Sequence, residues 1–228
     1  MDYQNNLNTV KQRIQNAEQQ FQRSAGSVKL LAVSKTKPIE AVNALAALGQ
    51  TAFGENYLQE ALEKMAQRPD LEWHFIGPIQ SNKTKPIAEH FNWVHSVDRL
   101  KIARRLSEQR PSEMGKLNIL LQINVSKEDS KSGFMPEELQ QAVDEIQDLP
   151  GLVIRGLMAI PKAESDFEKQ RQAFAQMHQL FEQLKAKQPQ IDTLSMGMSG
   201  DLEAAIAEGS TLVRIGTDIF GARDYSKG

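Results

Sequence analysis

The residue with the clearest chemical potential in this chain is a lysine at the end of a short apolar run. In Lys29-Leu30-Leu31-Ala32-Val33-Ser34-Lys35-Thr36-Lys37-Pro38 the run lacks the polar alternation of a strand with one wet face, which predicts a buried parallel strand. Pro38 cannot sit inside a ladder and presets the first turn of a helix, so the strand must stop between Ser34 and Lys37. Lys35 is therefore expected at a carboxyl strand end, the edge where ligands bind in barrels wrapped by helices. An ammonium there, partly desolvated and crowded by Lys37, can lose its proton and act as an amine nucleophile. The plain alternative is a lysine snorkelling into water, and what else the chain brings to that edge decides between them.

Two further stretches bear on that choice. Gly197-Met198-Ser199-Gly200 and Ile215-Gly216-Thr217 each follow an apolar run and enter a helical segment, so backbone N–H groups and the hydroxyls of Ser199 and Thr217 converge into an anion cradle. Taken singly, Ser199 is an N-cap and Gly216 a tight turn; on adjoining strands of a barrel they favour phosphate. Arg214 shares the parity of Leu212 and Gly216 inside an apolar strand, where its guanidinium needs an acceptor. That acceptor is either a neighbouring side chain or a bound ligand. Asn56, in Gly54-Glu55-Asn56, suits a polar ligand edge, while Glu55 holds a positive group at the mouth or a surface lysine. His74 and His95 read as single, satisfied core histidines. A lysine amine, a phosphate cradle and an arginine beside it together suggest pyridoxal 5'-phosphate, an aldehyde that carries phosphate, held as an imine on Lys35.

The elements that must position these groups alternate along the chain. Residues 3–24 carry Leu7, Val10, Ile14, Ala17 and Phe21 at helical spacing, predicting a helix that closes the bottom of the domain. Strands are expected at 30–33, 51–56, 73–77, 93–97, 118–125, 152–160, 193–198 and 211–216, each followed by a helix or, after the last, a short turn. Expected caps are Gly49 at the exit of the first of these helices, Ser81 and Asp98 at later starts, a Ser165/Glu168 capping box, and Ser199. Pro86 implies a third helix that begins late or kinks, and Ser126 to Gly133 form a long loop at a carboxyl strand end. Eight such units predict a single (β/α)8 TIM barrel with an extra N-terminal helix, one domain over 1–228.

Composition narrows the functional classes. A net charge of -2, from 27 basic and 29 acidic residues without long runs, gives no footprint for nucleic acid or an anionic membrane. The absence of cysteine excludes disulfides, thiolate catalysis and cysteine-ligated metal, and the four histidines show no metal spacing. A polar amino terminus and the lack of a membrane-length apolar run predict a cytoplasmic protein, and no strong exposed apolar patch is evident, predicting a monomer.

The segments LLAVSKTKP, FGENYLQE, WHFIGPIQSNK, DSKSGF, RGLMAIP and LSMGMSGDLEAAIAEGSTLVRIGTDIFGAR, with the length of the chain, resemble the YggS/PROSC family of pyridoxal phosphate homeostasis proteins. The resemblance covers essentially the whole chain. It implies the barrel of alanine racemase without the second, β-rich domain, with Lys35 as the Schiff-base lysine and Arg214 facing the pyridine nitrogen. Ser199, Gly216 and Thr217 are then implied to hold the phosphate, with Asn56 and Met158 as ring neighbours. It further implies a cofactor carrier without a dedicated reaction, passing pyridoxal 5'-phosphate to apo-enzymes. A weak racemase or transaminase and a cofactor-independent Schiff-base aldolase are the competing readings. Racemisation needs a base on each face, in the racemases a tyrosine from the missing domain; of Tyr3, Tyr57 and Tyr225, only Tyr57 follows a strand that reaches the site. Lys37, Lys131 and Lys227 are candidate transient second imine positions.

Overall fold

Strands that are apolar on both faces leave an open sheet with nothing to spare for solvent, and this chain covers them by closing the sheet and ringing it with helices. The computed structural model describes residues 1–222. The parallel strands are β1 (Lys29–Val33), β2 (Ala52–Glu55), β3 (Glu72–Phe75), β4 (Trp93–Val97), β5 (Leu117–Gln122), β6 (Leu152–Met158), β7 (Thr193–Ser195) and β8 (Leu212–Ile215). They pair in chain order and β8 returns to β1, forming a closed eight-stranded barrel. The helices are α1 (Tyr3–Gln20), α2 (Ile39–Ala47), α3 (Leu58–Gln67), α4 (Thr84–His90), α5 (Leu100–Gln109), α6 (Leu139–Ile146), α7 (Phe167–Lys187), α8 (Leu202–Ala207) and α9 (Thr217–Phe220). The expected (β/α)8 barrel with an added N-terminal helix is the observed architecture.

The first helix does not close the bottom of the barrel. Its buried stripe of Leu7, Val10, Ile14 and Ala17 packs against α8, α9 and α2, with Tyr3 edge-on to Phe220. The reason is length: α9 has 4 residues, too few to cover the seam where β8 meets β1, so α1 takes that place in the outer ring. Arg13 fastens it there through Glu203 at 2.7 Å, Asp218 at 2.6 Å and the Ser199 carbonyl at 3.1 Å.

Several helix starts also differ from expectation. Asp98 pairs with Arg99 instead of capping α5, and Asp166, not Ser165, accepts the Lys169 N–H at the start of α7. Ser199 does not cap α8, whose N-cap residue is Asp201. In both later cases a short carboxylate nearer the helix, by one residue in α7 and by two in α8, stands at the N-cap instead of the serine. Pro86 falls in the first turn of α4, which starts late, after a 3-10 turn at Ser81–Lys83. Gly49 exits α2 with a φ of 94°, as predicted for a left-handed cap.

One glycine is required by the barrel wall. The β5–β6 register shifts beside Arg155, and Gly156 follows with a φ of 156°. A Cβ at this position would lie 1.7 Å from the Thr193 carbonyl oxygen on β7. Gly156→Ala is expected to destabilise the protein by about 2–3 kcal/mol, as strained backbone parts β6 from β7. Urea denaturation checks this; an unchanged midpoint would contradict so close an approach of β6 to β7.

Candidate functional site

The end of β1 is held from behind by a buried polar cluster. The Lys64 ammonium, on α3, donates to the Ser34 carbonyl at 2.8 Å, to Glu55 Oε1 at 2.7 Å and to Glu60 Oε1 at 2.6 Å. The Ser34 hydroxyl donates to the same Glu55 oxygen at 2.7 Å. Burial pushes the Glu55 carboxyl above its ordinary range, with Lys64 opposing. Glu55 thus neither guards the mouth nor meets a surface lysine; it joins the strand ends that carry Lys35 and Asn56 to α3.

Beyond this cluster the chain turns sharply. The Lys37 N–H donates to the Ser34 carbonyl at 3.1 Å, and Thr36 takes a left-handed φ of 62°, a costly conformation for a β-branched residue. Lys35 sits in this constrained turn and lines a cavity of about 330 Å³ at the carboxyl ends of the strands. Asn56, Ser199, Arg214, Gly216 and Thr217 line the same cavity, with Val33, Ile76, Ile160 and Met198 as its apolar surface. Lys37 is also in the wall, its ammonium donating to the carbonyls of Gly221 and Ala222 at 3.3 Å each.

Met158 is the exception among the expected residues. It is fully buried at the end of β6, between partners on β5 and β7, and is absent from the cavity wall. Ile160 lies two positions further along, beyond the strand, and presents its side chain there instead. Lys131 lines a second, adjoining cavity of about 280 Å³ that shares Asn56, Ile76 and Ile160 with the first, and it pairs with Glu128 at 2.8 Å. Tyr225 and Lys227 lie outside the described residues.

Arg214 is set opposite Leu31 of β1 by the strand register. Its side chain donates from Nη1 to the Ser195 hydroxyl at 2.7 Å and from Nη2 to the Ala159 carbonyl at 3.1 Å. Burial lowers its pKa to about 10, opposed by Asp201. Across the wall, the first N–H groups of α9, just after Gly216, have no intrahelical acceptor, and Ser199 and Gly200 stand alongside. The site therefore offers an amine, a guanidinium and hydroxyl and N–H donors around one cavity, with no carboxylate, histidine or tyrosine among its described lining residues.

These residues fit pyridoxal phosphate on an observation independent of any relative. Asn56 Oδ1 is buried and has no hydrogen-bond partner among the described residues, in a side chain that lines the cavity. An acceptor left so would be costly, and a polar ligand atom with a proton to give would satisfy it.

Comparison with known proteins identifies the family of the chain. Residues 6–224 match the family model described as alanine racemase, N-terminal domain. A pyridoxal phosphate homeostasis protein from Pasteurella multocida is 59% identical over 233 residues, covering 100% of both chains. A crystal structure of an unknown protein from Bifidobacterium adolescentis is similar at a TM-score of 0.89 and 33% identity, covering 96% of this chain and 94% of that one. The structure of PipY from Synechococcus elongatus, with pyridoxal phosphate bound, is similar at a TM-score of 0.78 and 37% identity, over 91% of this chain and 100% of that one. The chain belongs to the family of pyridoxal phosphate homeostasis proteins, built on the alanine racemase N-terminal domain.

Proposed function

We propose that the chain, acting as one domain over residues 1–228, binds pyridoxal 5'-phosphate in the cavity at the carboxyl ends of the strands. It would keep the cofactor available in the cytoplasm for transient partners, the apo-enzymes that need it. The observation that carries this reading is the convergence of Lys35, Asn56, Ser199, Arg214, Gly216 and Thr217 on one cavity. When bound, the cofactor supplies an aldehyde that an amine captures reversibly. Lys35 would hold that carbon, Arg214 would donate to the ring nitrogen, and Ser199, Gly216 and Thr217 would hold the phosphate. Asn56 would accept from the ring edge.

A carrier fits the cavity better than a catalyst does. Moving a proton from one face of an amino acid to the other needs two opposed acid–base groups, and the titratable side chains among the described lining residues are Lys35, Lys37 and Arg214. Tyr3 and Tyr57 do not line it. Nor is any helix of the described residues long and apolar enough to cross a membrane. A protein of this kind, acting as a monomer, should transfer bound cofactor to an apo-enzyme faster than the cofactor dissociates into solution. Reactivation of an apo-transaminase with and without a trap for unbound cofactor measures this. Reactivation no faster than dissociation would defeat the carrier reading, and α-proton exchange of added alanine at enzyme-like rates would favour a racemase.

A further inference from the structure

Barrel interiors of this kind are ordinarily packed with branched apolar side chains. Here a line of polar groups crosses the interior instead. Arg214 Nη1 meets Ser195 Oγ at 2.7 Å, Ser195 Oγ meets His95 Nδ1 at 2.9 Å, and His95 Nε2 meets His74 Nδ1 at 2.8 Å. His74 Nε2 then meets Glu72 Oε1 at 2.7 Å, and that oxygen accepts from the Lys29 ammonium at 2.6 Å. Ser195 and both histidines are wholly buried. Glu72 and Lys29 are the first residues of β3 and β1, at the amino-terminal mouth of the barrel, whereas Arg214 lines the cavity at the other end.

The two charged ends fix the direction of every bond. A guanidinium can only donate, so the Ser195 oxygen accepts and its one proton is left for His95 Nδ1. His95 then carries its proton on Nε2 and donates to His74 Nδ1, and His74 donates from Nε2 to the carboxylate. The reverse tautomers would set an unprotonated His74 Nε2 against Glu72, whose carboxyl is held down at about 2 by the His74 hydrogen bond first, then by Lys29. Imidazolium forms are disfavoured because burial lowers both histidines, His95 strongly. The one arrangement that satisfies every partner has two neutral rings and bonds aligned from cation to anion, an order in which each polarises the next. Among the described residues Arg214 makes no direct ion pair; the carboxylates acting on it are Asp201 at a distance and Glu72 through this line.

We propose that Ser195, His95, His74 and Glu72 form a polarised hydrogen-bond relay that positions Arg214 and couples occupancy of the cavity to the Glu72–Lys29 ion pair at the opposite mouth. The four are positioning residues, since His95, His74 and Glu72 do not line the cavity. The proposal rests on the cavity being a pyridoxal phosphate site, and its consequence is that a change at the far mouth alters how the cofactor is held.

Histidine-selective nitrogen-15 NMR of the unliganded full chain is the first test. Both buried rings should appear neutral and protonated at Nε2; an Nδ1–H tautomer or an imidazolium at either overturns the relay, whether or not any cofactor binds. Loading with pyridoxal 5'-phosphate should then move the Nε2–H resonances of both rings. Glu72→Gln keeps an acceptor for His74 but removes the charge, and should weaken cofactor binding on the order of fivefold and shift the absorbance band of the bound cofactor. His95→Phe should weaken binding further and His95→Gln, which can accept and donate in the same order, should recover part of it. If His95→Phe does not fold, Glu72→Gln decides, because its side chain is partly exposed. Unmoved histidine resonances on loading, together with unchanged affinity and spectrum in Glu72→Gln, would overturn the coupling. Failure of the unaltered chain to bind pyridoxal 5'-phosphate would instead overturn the functional reading.

Discussion

Replacing Lys35 with alanine is expected to abolish covalent capture of pyridoxal 5'-phosphate while leaving the barrel folded. The lysine lies past the end of β1, in a turn whose shape is set by Ser34, Thr36 and Lys37. Its removal empties part of the cavity wall without opening the core, so stability should change by no more than about 1 kcal/mol. Affinity should fall about 100-fold or more, because a reversible covalent bond is lost and only the phosphate and ring contacts remain. Visible absorbance during titration reads the first effect and thermal unfolding the second. Lys37 shares the wall, yet its ammonium is directed to the Gly221 and Ala222 carbonyls, so Lys37→Ala should retain capture. Equal colour in the Lys35 variant and the parent would assign the amine wrongly.

The largest expected loss of stability follows from Lys64→Ala. Lys64 and Glu55 are 4% and 0% exposed, and Glu55 Oε2 already has no partner among the described residues. Removing the ammonium leaves a buried carboxylate without its counter-charge, which costs about 3–5 kcal/mol. The pH dependence has a definite sign. A Glu55 carboxyl raised further in the folded variant holds a proton that the unfolded chain releases near its ordinary value of 4.5. That contribution is present below the unfolded value and lost as pH rises through the folded one, so the deficit against the parent should be larger at pH 8 than at pH 5. Because Ser34 and Glu55 precede Lys35 and Asn56, cofactor affinity should fall as well. A Glu55→Leu/Lys64→Met double variant should be more stable than Lys64→Ala, since no charge is left behind. Chemical denaturation at both pH values tests all of this, and a deficit independent of pH would contradict it.

Much of this architecture was legible in the chain because buried strands leave a strong mark. The uninterrupted apolar runs, each stopped by glycine, proline or a polar turn, give eight units and hence the barrel. Lys35, Arg214, Ser199, Gly216 and Thr217 could be placed at one face because parity and strand ends are local properties. Caps are less legible: Asp201 and Asp166 stand where Ser199 and Ser165 are expected, offsets of two residues and one that helix periodicity does not resolve. Met158 lies outside the cavity wall because β6 ends there, and Ile160 lines the wall beyond it.

What stayed hidden depends on register across the barrel. His74 and His95 read as separate core residues, although they meet each other and Ser195 once β3, β4 and β7 are closed. Their parity with Glu72 and Trp93 was available as a signal; their distance from Arg214 was not. Lys64 was hidden in the same way, since an amphipathic helix gives no sign that one lysine turns inward to a glutamate on the neighbouring strand.

Carriage of the cofactor by this barrel depends on whether the amine at the mouth of β1 bonds to it. Borohydride treatment of the protein loaded with pyridoxal 5'-phosphate, followed by proteolysis and peptide mass analysis, tests it most directly. One pyridoxyl-modified peptide, carrying Lys35, is expected at close to full occupancy. Modification spread over surface lysines with Lys35 untouched, or no modification at all, would contradict it.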